Sequence, residues 1–316
     1  MLSFILQRTG VMLLTALCLT FIVFYLTNLE PNLEKLAKEQ ANNRMTDEQV
    51  ETWLERNGYR RPLLVRYGEW LAGVATGDLG RSTRFDQPVA PMVAERLGHT
   101  GKLMFWVMIT MVPGALLIGV LAGMREGSVT DRTLSTASIA TTATPEYVSG
   151  VIFAIIFASS AVGLKWMKAS ATTATENITF ENFALPVMTM AIYGMGYIAR
   201  MTRASMAEVM TAQYIRTARL KGVSFRNIVI KHALRNALIA PFTVIMLQFP
   251  WLLTGVVIVE TLFNFKGFGW MMVEAAQTND IELLLACSVV AVFVVLVTQL
   301  ISDIGYVYLN PRIRVR

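Results

Sequence analysis

Along the chain, long uncharged apolar runs alternate with shorter charged stretches. Residues 9–29 carry no charge and follow Arg8. Further apolar runs predict spans at 103–124, 137–164, 182–200, 236–259 and 283–306, each long enough for a helix to cross a hydrocarbon core of roughly 30 Å. The first run is longer than the roughly 7–15-residue core of a signal peptide. No small-residue cleavage site follows Phe24-Tyr25-Leu26-Thr27, so it reads as a retained span. The pattern predicts an all-α membrane protein with six transmembrane helices. Its divisions are a first helix at 1–28, a segment outside the membrane at 29–101, and a five-helix core at 102–316.

The stretch 28–102 differs from the rest. It holds 11 basic and 11 acidic residues and no apolar run of spanning length. Thr46-Asp47-Glu48-Gln49 has the form of a capping box and predicts a helix that ends near Asn57-Gly58. Trp53, Tyr59, Tyr67 and Trp70 favour a small folded unit over a disordered linker.

Composition agrees with the membrane reading. Apolar residues make up 54% of the chain and charged ones 16%, against about 25% charged in an ordinary soluble domain. Cys18 and Cys287 lie within apolar runs and form no disulfide framework. His99 and His232 are the only histidines and are distant in sequence, which argues against a metal site. The net charge of +6 raises the possibility of nucleic acid. Its excess sits in one loop without interleaved stacking aromatics, so membrane topology explains it better.

That loop is 200–235, where eight Lys/Arg residues face the single acid Glu208. Short basic loops between spans mark the cytoplasmic side. Arg125, Arg132 and the C-terminal Arg312, Arg314 and Arg316 fall on the same side, which places both termini inside and residues 29–101 outside. Within the loop, 213–221 favour a helix, Gly222 breaks it, and Ser224 is a candidate N-cap for a second helical stretch. Tyr214 and Ala218 lie four apart on one face, with Arg216 and Arg219 flanking. Two readings stand: a solvated loop that obeys the topology rule, or a knob that inserts into another protein.

The ordered residues Tyr214-Ile215-Arg216-Thr217-Ala218-Arg219-Leu220-Lys221-Gly222, followed by His232-Ala233-Leu234-Arg235-Asn236-Ala237-Leu238, resemble the coupling loop of binding-protein-dependent ABC importer permeases, in particular the dipeptide/oligopeptide/nickel branch. Gly77-Asp78-Leu79-Gly80-Arg81-Ser82, Val259-Glu260-Thr261 with Gly267 and Gly269, and Pro311-Arg312-Ile313-Arg314 extend the resemblance over nearly the whole chain. The resemblance implies a type I importer permease of the bacterial inner membrane with a periplasmic segment between helices 1 and 2. Its implied partners are a second similar permease, two cytoplasmic ATPase subunits, a periplasmic binding protein and the lipid bilayer, with no nucleic acid. Tyr214, Arg216, Thr217, Ala218, Arg219, Lys221 and Gly222 are the implied contacts to the ATPase. The implied cargo is a dipeptide or oligopeptide; nickel, glutathione, sugars and opines are the alternatives within the branch. A secondary transporter driven by an ion gradient is the rival from another class, against which stand the coupling loop and the absence of an internal repeat.

No cofactor is expected in this chain, with ATP and Mg held by the ATPase partners. The only Gly-Lys pair, Gly101-Lys102, lacks the upstream glycine of a phosphate-binding loop, so the chain is not expected to be an enzyme. Gly194-Met195-Gly196-Tyr197-Ile198-Ala199 imitates a dinucleotide fingerprint, but it lies in an apolar span and fits close helix packing better. Glu146 and Asp303 are the notable carboxylates in or near spans. Either they pair at the interface, or Glu146, beside Pro145, faces a translocation path with Ser149, Gln248 and Thr254. The stretch after Glu260 interrupts the chain between the last two spans with Phe263, Phe265, Gly267, Phe268, Gly269 and Trp270. It reads either as an aromatic belt with a plain turn or as an outer gate that includes Glu260, Phe263, Gly267 and Gly269.

Overall fold

The computed structural model describes residues 2–40, 45–160 and 164–309. Side chains at 2–5, 254 and 306–309 fall outside that description, as does the Pro311–Arg314 motif. The chain runs through α1 (Leu2–Thr27), α2 (Glu30–Gln40), α3 (Asp47–Arg56), α4 (Leu63–Thr76), α5 (Val89–Gly123), α6 (Val129–Ala143) and α7 (Glu146–Ala158). There follow α8 (Phe180–Thr211), α9 (Gln213–Leu220), α10 (Phe225–Asn227), α11 (Leu234–Ala237), α12 (Ile239–Leu262), α13 (Phe268–Gln277) and α14 (Ile281–Leu309). Two compact units form, one from Met1–Thr100 with Lys266–Leu300, the other from Gly101–Phe265 with Ile301–Arg316.

Four helices among the described residues are long and apolar enough to cross a membrane: Leu6–Thr27, Val89–Gly123, Phe180–Thr211 and Ile281–Gly305. Of the other two expected spans, 236–259 corresponds to the continuous helix α12, Ile239–Leu262, and only 137–164 is broken within its length. The run 137–164 is not one helix, because α6 and α7 meet at 106° around Thr144-Pro145. Proline lacks an N–H, and Thr144, the residue before it, is driven to the extended ψ of 122°. The helical pieces from Phe225 to Ala237 meet Ile239–Leu253 at 50°.

Hydropathy also misplaced two boundaries. α5 begins at Val89 rather than near 103 and, at 35 residues, is about 52 Å long. Glu95, Arg96 and Lys102 lower the hydropathy of its first turns, yet Val89 and Val93 there are buried. Likewise α8 continues to Thr211, so the first twelve residues assigned to the basic loop extend a span.

In the first unit, Phe24 of α1 packs with Leu33, Leu36 and Ala37 of α2, Val50 and Leu54 of α3, and Ile281 and Leu285 of α14. The Tyr67 ring of α4 stands edge-on to Phe21 and Phe24, and its hydroxyl lies 2.9 Å from Thr20 Oγ1. Gln49 accepts from the Thr46 N–H at 3.1 Å, as the capping box requires. Arg60 pairs with Glu30 and Glu51, and its hydrogen bonds hold the Glu51 carboxyl below its ordinary range.

In the second unit, the largest core gathers residues of α5, α7, α8 and α12 around Met111, Leu185, Met190, Ile198, Phe263 and Phe265. The glycines of the fingerprint-like stretch serve contact. A Cβ on Gly194 would lie 2.2 Å from Met111 Sδ, and one on Gly196 would lie 2.2 Å from Thr141 Oγ1. At Gly196 the Ser138 carbonyl of α6 would also stand 2.6 Å away, so a bare backbone is needed there, whereas the Met111 side chain opposite Gly194 can yield.

Candidate functional site

The basic loop proper spans 212–238. α9 ends in a Schellman turn: the Val223 N–H donates to the Ala218 carbonyl at 3.1 Å, and the Gly222 N–H donates to that of Arg219 at 3.0 Å. Gly222 has φ +76°, a left-handed conformation that favours glycine. Ser224 precedes α10, but its side chain makes no capping hydrogen bond, and a π-helical turn at Ile228–Ala233 follows. Ile215, Ala218, Ile228, Val229, Ala233 and Ala237 form the loop's own core with Met206 and Met210 of α8.

This core changes the reading of Ala218. The residue is 8% exposed, and its small size serves contact within the chain rather than a partner's approach. Tyr214 does not share one open face with it: its ring is half exposed, and its hydroxyl accepts from Asn236 Nδ2 at 2.9 Å. Arg216, Thr217, Arg219 and Lys221 are exposed. Arg203 is bound internally, with Nε and Nη2 on the two Asp131 oxygens at 2.9 and 2.7 Å. Among the described residues, Arg200, Arg216, Arg219, Lys221, Arg226, Lys231 and Arg235 make no ion pair.

The path candidates do not form one cluster. Glu146 opens α7 at the elbow, and its Oε2 is buried without a hydrogen bond. A Cβ on Gly255 of α12 would meet its oxygens at 3.0 and 3.1 Å, so a glycine there makes room for the carboxylate. Ser149 is buried on α7. Gln248, about two turns before Gly255 on α12, lines a different place, a cavity of about 600 Å³ with Tyr193, Arg200 and Trp251. The side chain of Thr254 lies outside the described residues. Asp303 has an interaction partner.

The stretch after α12 departs from an aromatic belt. Phe263 and Phe265 are each 1% exposed, and Phe268 is buried too. Core packing claims these rings because their backbones are tied inward. The Phe265 N–H donates to the Glu260 carbonyl at 2.8 Å, and the Phe263 carbonyl accepts from Ala171 at 2.7 Å. Glu260 is fully buried and partnered. The turn itself depends on Asn264, at φ +50°, and not on the glycines. Gly267 has φ −93° and ψ −164°, backbone open to any residue, and Gly269 lies inside α13. In the other unit, Arg96 Nη1 donates to the Lys266 carbonyl at 2.9 Å, and the Lys266 ammonium stands 5.9 Å from the Trp270 ring centre.

Comparison with known proteins gives this geometry a context. The family model described as binding-protein-dependent transport system inner membrane component matches residues 115–315. The chain belongs to this family. The oligopeptide transport system permease protein AppB of Bacillus subtilis is 30% identical over 319 residues, covering 99% of each chain. The protein of Sinorhizobium fredii named "Probable peptide ABC transporter permease protein y4tP" is 32% identical, over 92% of this chain and 93% of its own. Among solved structures, that of an amino acid ABC transporter aligns with TM-score 0.52 and 16% identity, over 68% of this chain and 93% of the other. That likeness concerns the fold. The chain is thus a multi-pass ABC importer permease subunit.

Within this family frame, three features were missed in the sequence. Leu220, at the end of α9, is 90% exposed between Arg219 and Lys221. Phe225 is 38% exposed, with the Arg125 guanidinium 5.3 Å over its ring. Asn264 is the third. An apolar residue between two cations was a visible signal for Leu220, and asparagine's tolerance of positive φ was one for Asn264.

Proposed function

We propose that the chain imports dipeptides or oligopeptides delivered by a periplasmic binding protein, with ATP hydrolysed by two partner subunits that hold ATP and Mg. One observation carries the coupling role: a basic turn in a member of this family that leaves its cations without ion pairs and Leu220 almost fully exposed. Such a surface fits a groove with acidic and apolar walls. The peptide cargo rests on relatives named for peptide transport that align over nearly the whole chain. A second permease completes the pore. Both termini and the basic loop face the cytoplasm, and α2–α4 face the periplasm, by the charge rule.

Work then passes through Tyr214, Arg216, Thr217, Arg219, Lys221 and the Gly222 turn, with Ala218 holding α9 on its base. Closure of the ATPases moves this turn, and the spans switch the side on which the path is open. Glu146 and Ser149 belong to the elbow beside that path. Glu260, Phe263 and the turn leading to Gly267 and Gly269 form its outer constriction.

The test is reconstitution of the complete transporter in liposomes with a loaded binding protein. Peptide uptake that requires ATP and survives a proton uncoupler is expected. Uptake that continues without ATP and stops with the uncoupler would assign the chain to ion-driven transport. In a cysteine-free background, Gly58→Cys should react with an impermeant thiol reagent from the periplasmic side and Ser224→Cys should not.

A further inference from the structure

The cavity of about 600 Å³ that Gln248 lines lies between α6, α8 and α12. Its volume falls within the range of roughly 300–1,000 Å³ that small-molecule sites occupy. Arg200 is the one charged side chain that lines it. Tyr193 and Trp251 stack in its wall, ring centres 5.0 Å apart and planes within 14°. Tyr197 and Thr142 complete its polar lining.

The hydrogen-bonding state of these groups is informative. The polar atoms of these side chains are open to solvent: none is a buried atom without a partner, and Tyr197 is 45% exposed. Here Tyr193, Tyr197, Trp251 and Gln248 make no side-chain hydrogen bond among the described residues, and Arg200 makes no ion pair or hydrogen bond. Gln248 is nevertheless only 7% exposed. Five polar side chains therefore line one cavity with their polar atoms accessible from it and not taken up by hydrogen bonds within the described residues.

That capacity is mostly of one kind. Guanidinium and indole N–H groups only donate, and phenols and a carboxamide add further donors. A donor-rich cavity with one cation complements a ligand rich in acceptors and carrying one negative charge. A free peptide C-terminus is such a ligand: a carboxylate for Arg200, carbonyls for Gln248 and the phenols, and a side chain to lie along the aromatic stack. Guanidinium binds carboxylate through paired, charge-assisted hydrogen bonds.

We propose that this cavity is a cargo subsite in the permease, which holds the C-terminal carboxylate of a peptide at Arg200 and an apolar side chain against Tyr193 and Trp251. It rests on the peptide-import reading and adds to it a selectivity that acts after release from the binding protein.

The test uses the reconstituted transporter, with binding protein saturated by each peptide. The probes are tetra-alanine, its C-terminal amide, and the same peptide with one alanine replaced by phenylalanine. Arg200→Gln should lower tetra-alanine uptake about tenfold relative to the amide, the equivalent of about 1.4 kcal/mol, and Arg200→Lys, which keeps the charge without the paired donors, should restore only part of it. Trp251→Ala should erase any preference for the phenylalanine peptide. If wild type imports peptides and both variants keep its ratios, the subsite is overturned while peptide import stands. If wild type imports none of the probes, peptide import itself fails and the subsite with it. Should Arg200→Gln not accumulate, Trp251→Ala decides alone, and an unchanged phenylalanine-to-alanine ratio overturns the proposal.

Discussion

Two regions outside the long apolar helices, α2–α4 and the loop 212–238, are both small and both charged, yet they resolve their charges in opposite ways. In α2–α4, Arg60 meets Glu30 and Glu51, and Arg61 meets Glu69. Phe24 and aliphatic residues fill the interior there, and partly buried rings close over it, with Trp53 stacked on Tyr59 and Tyr67 on Trp70. In the loop, small and branched aliphatics fill the interior, the outward cations make no ion pairs, and Leu220 stands in the open. The first region pairs several of its cations with its own acids, although Arg66 Nε stays buried without a partner. The second is complete in its core and incomplete on its surface, which is what a docking element needs.

The comparison breaks most sharply at Leu54, which is fully buried in α3. Leu54→Ala should destabilise the first region by about 2–5 kcal/mol. Hydrogen exchange should show protection lost in α2 and α3 and retained in α9–α11. Loss in both regions at once would mean that they are not independently held. Ala218→Leu makes the converse change, overfilling the loop core at a cost of about 1–3 kcal/mol. Protection should fall in α9 alone, and co-purification of the ATPase subunits should fall with it. If exchange in α9 is unchanged, the loop core is looser than its burial implies.

A narrower effect belongs to Gly222→Val, which forces a branched residue to φ +76°. A strain of about 1–3 kcal/mol should open the turn and lower uptake about tenfold or more, while membrane insertion stays normal. Wild-type uptake would show that the turn geometry does not matter for coupling. The smallest expected change in stability is that of Leu220→Ser, below about 0.5 kcal/mol because the side chain touches little. Its effect should appear only as weaker retention of the ATPase subunits. Equal retention would remove Leu220 from the docking surface and leave the cations as its only distinguishing feature.

Charge and hydropathy alone determined much of this protein. The apolar runs sufficed for an all-α membrane chain, because no other backbone arrangement satisfies its hydrogen bonds in lipid except a closed barrel. The basic stretch, the break at Gly222 and the capping box at Thr46 were readable because each is a local property of neighbouring residues. Tertiary structure decided the rest. Hydropathy measures the side chains' preference for lipid, so it ended α5 and α8 where charges begin, although both helices continue on packing and backbone hydrogen bonds. It counted 137–164 as one span, whereas the chain bends between α6 and α7 at Thr144-Pro145. Burial separated Ala218 from the surface and Phe263 and Phe265 from the membrane interface, since the direction a side chain faces depends on elements far away in sequence. The meeting of Arg200, Gln248 and Trp251 around one cavity was invisible for the same reason: α8 and α12 bring together residues about fifty positions apart, and no periodicity within either helix records that distance.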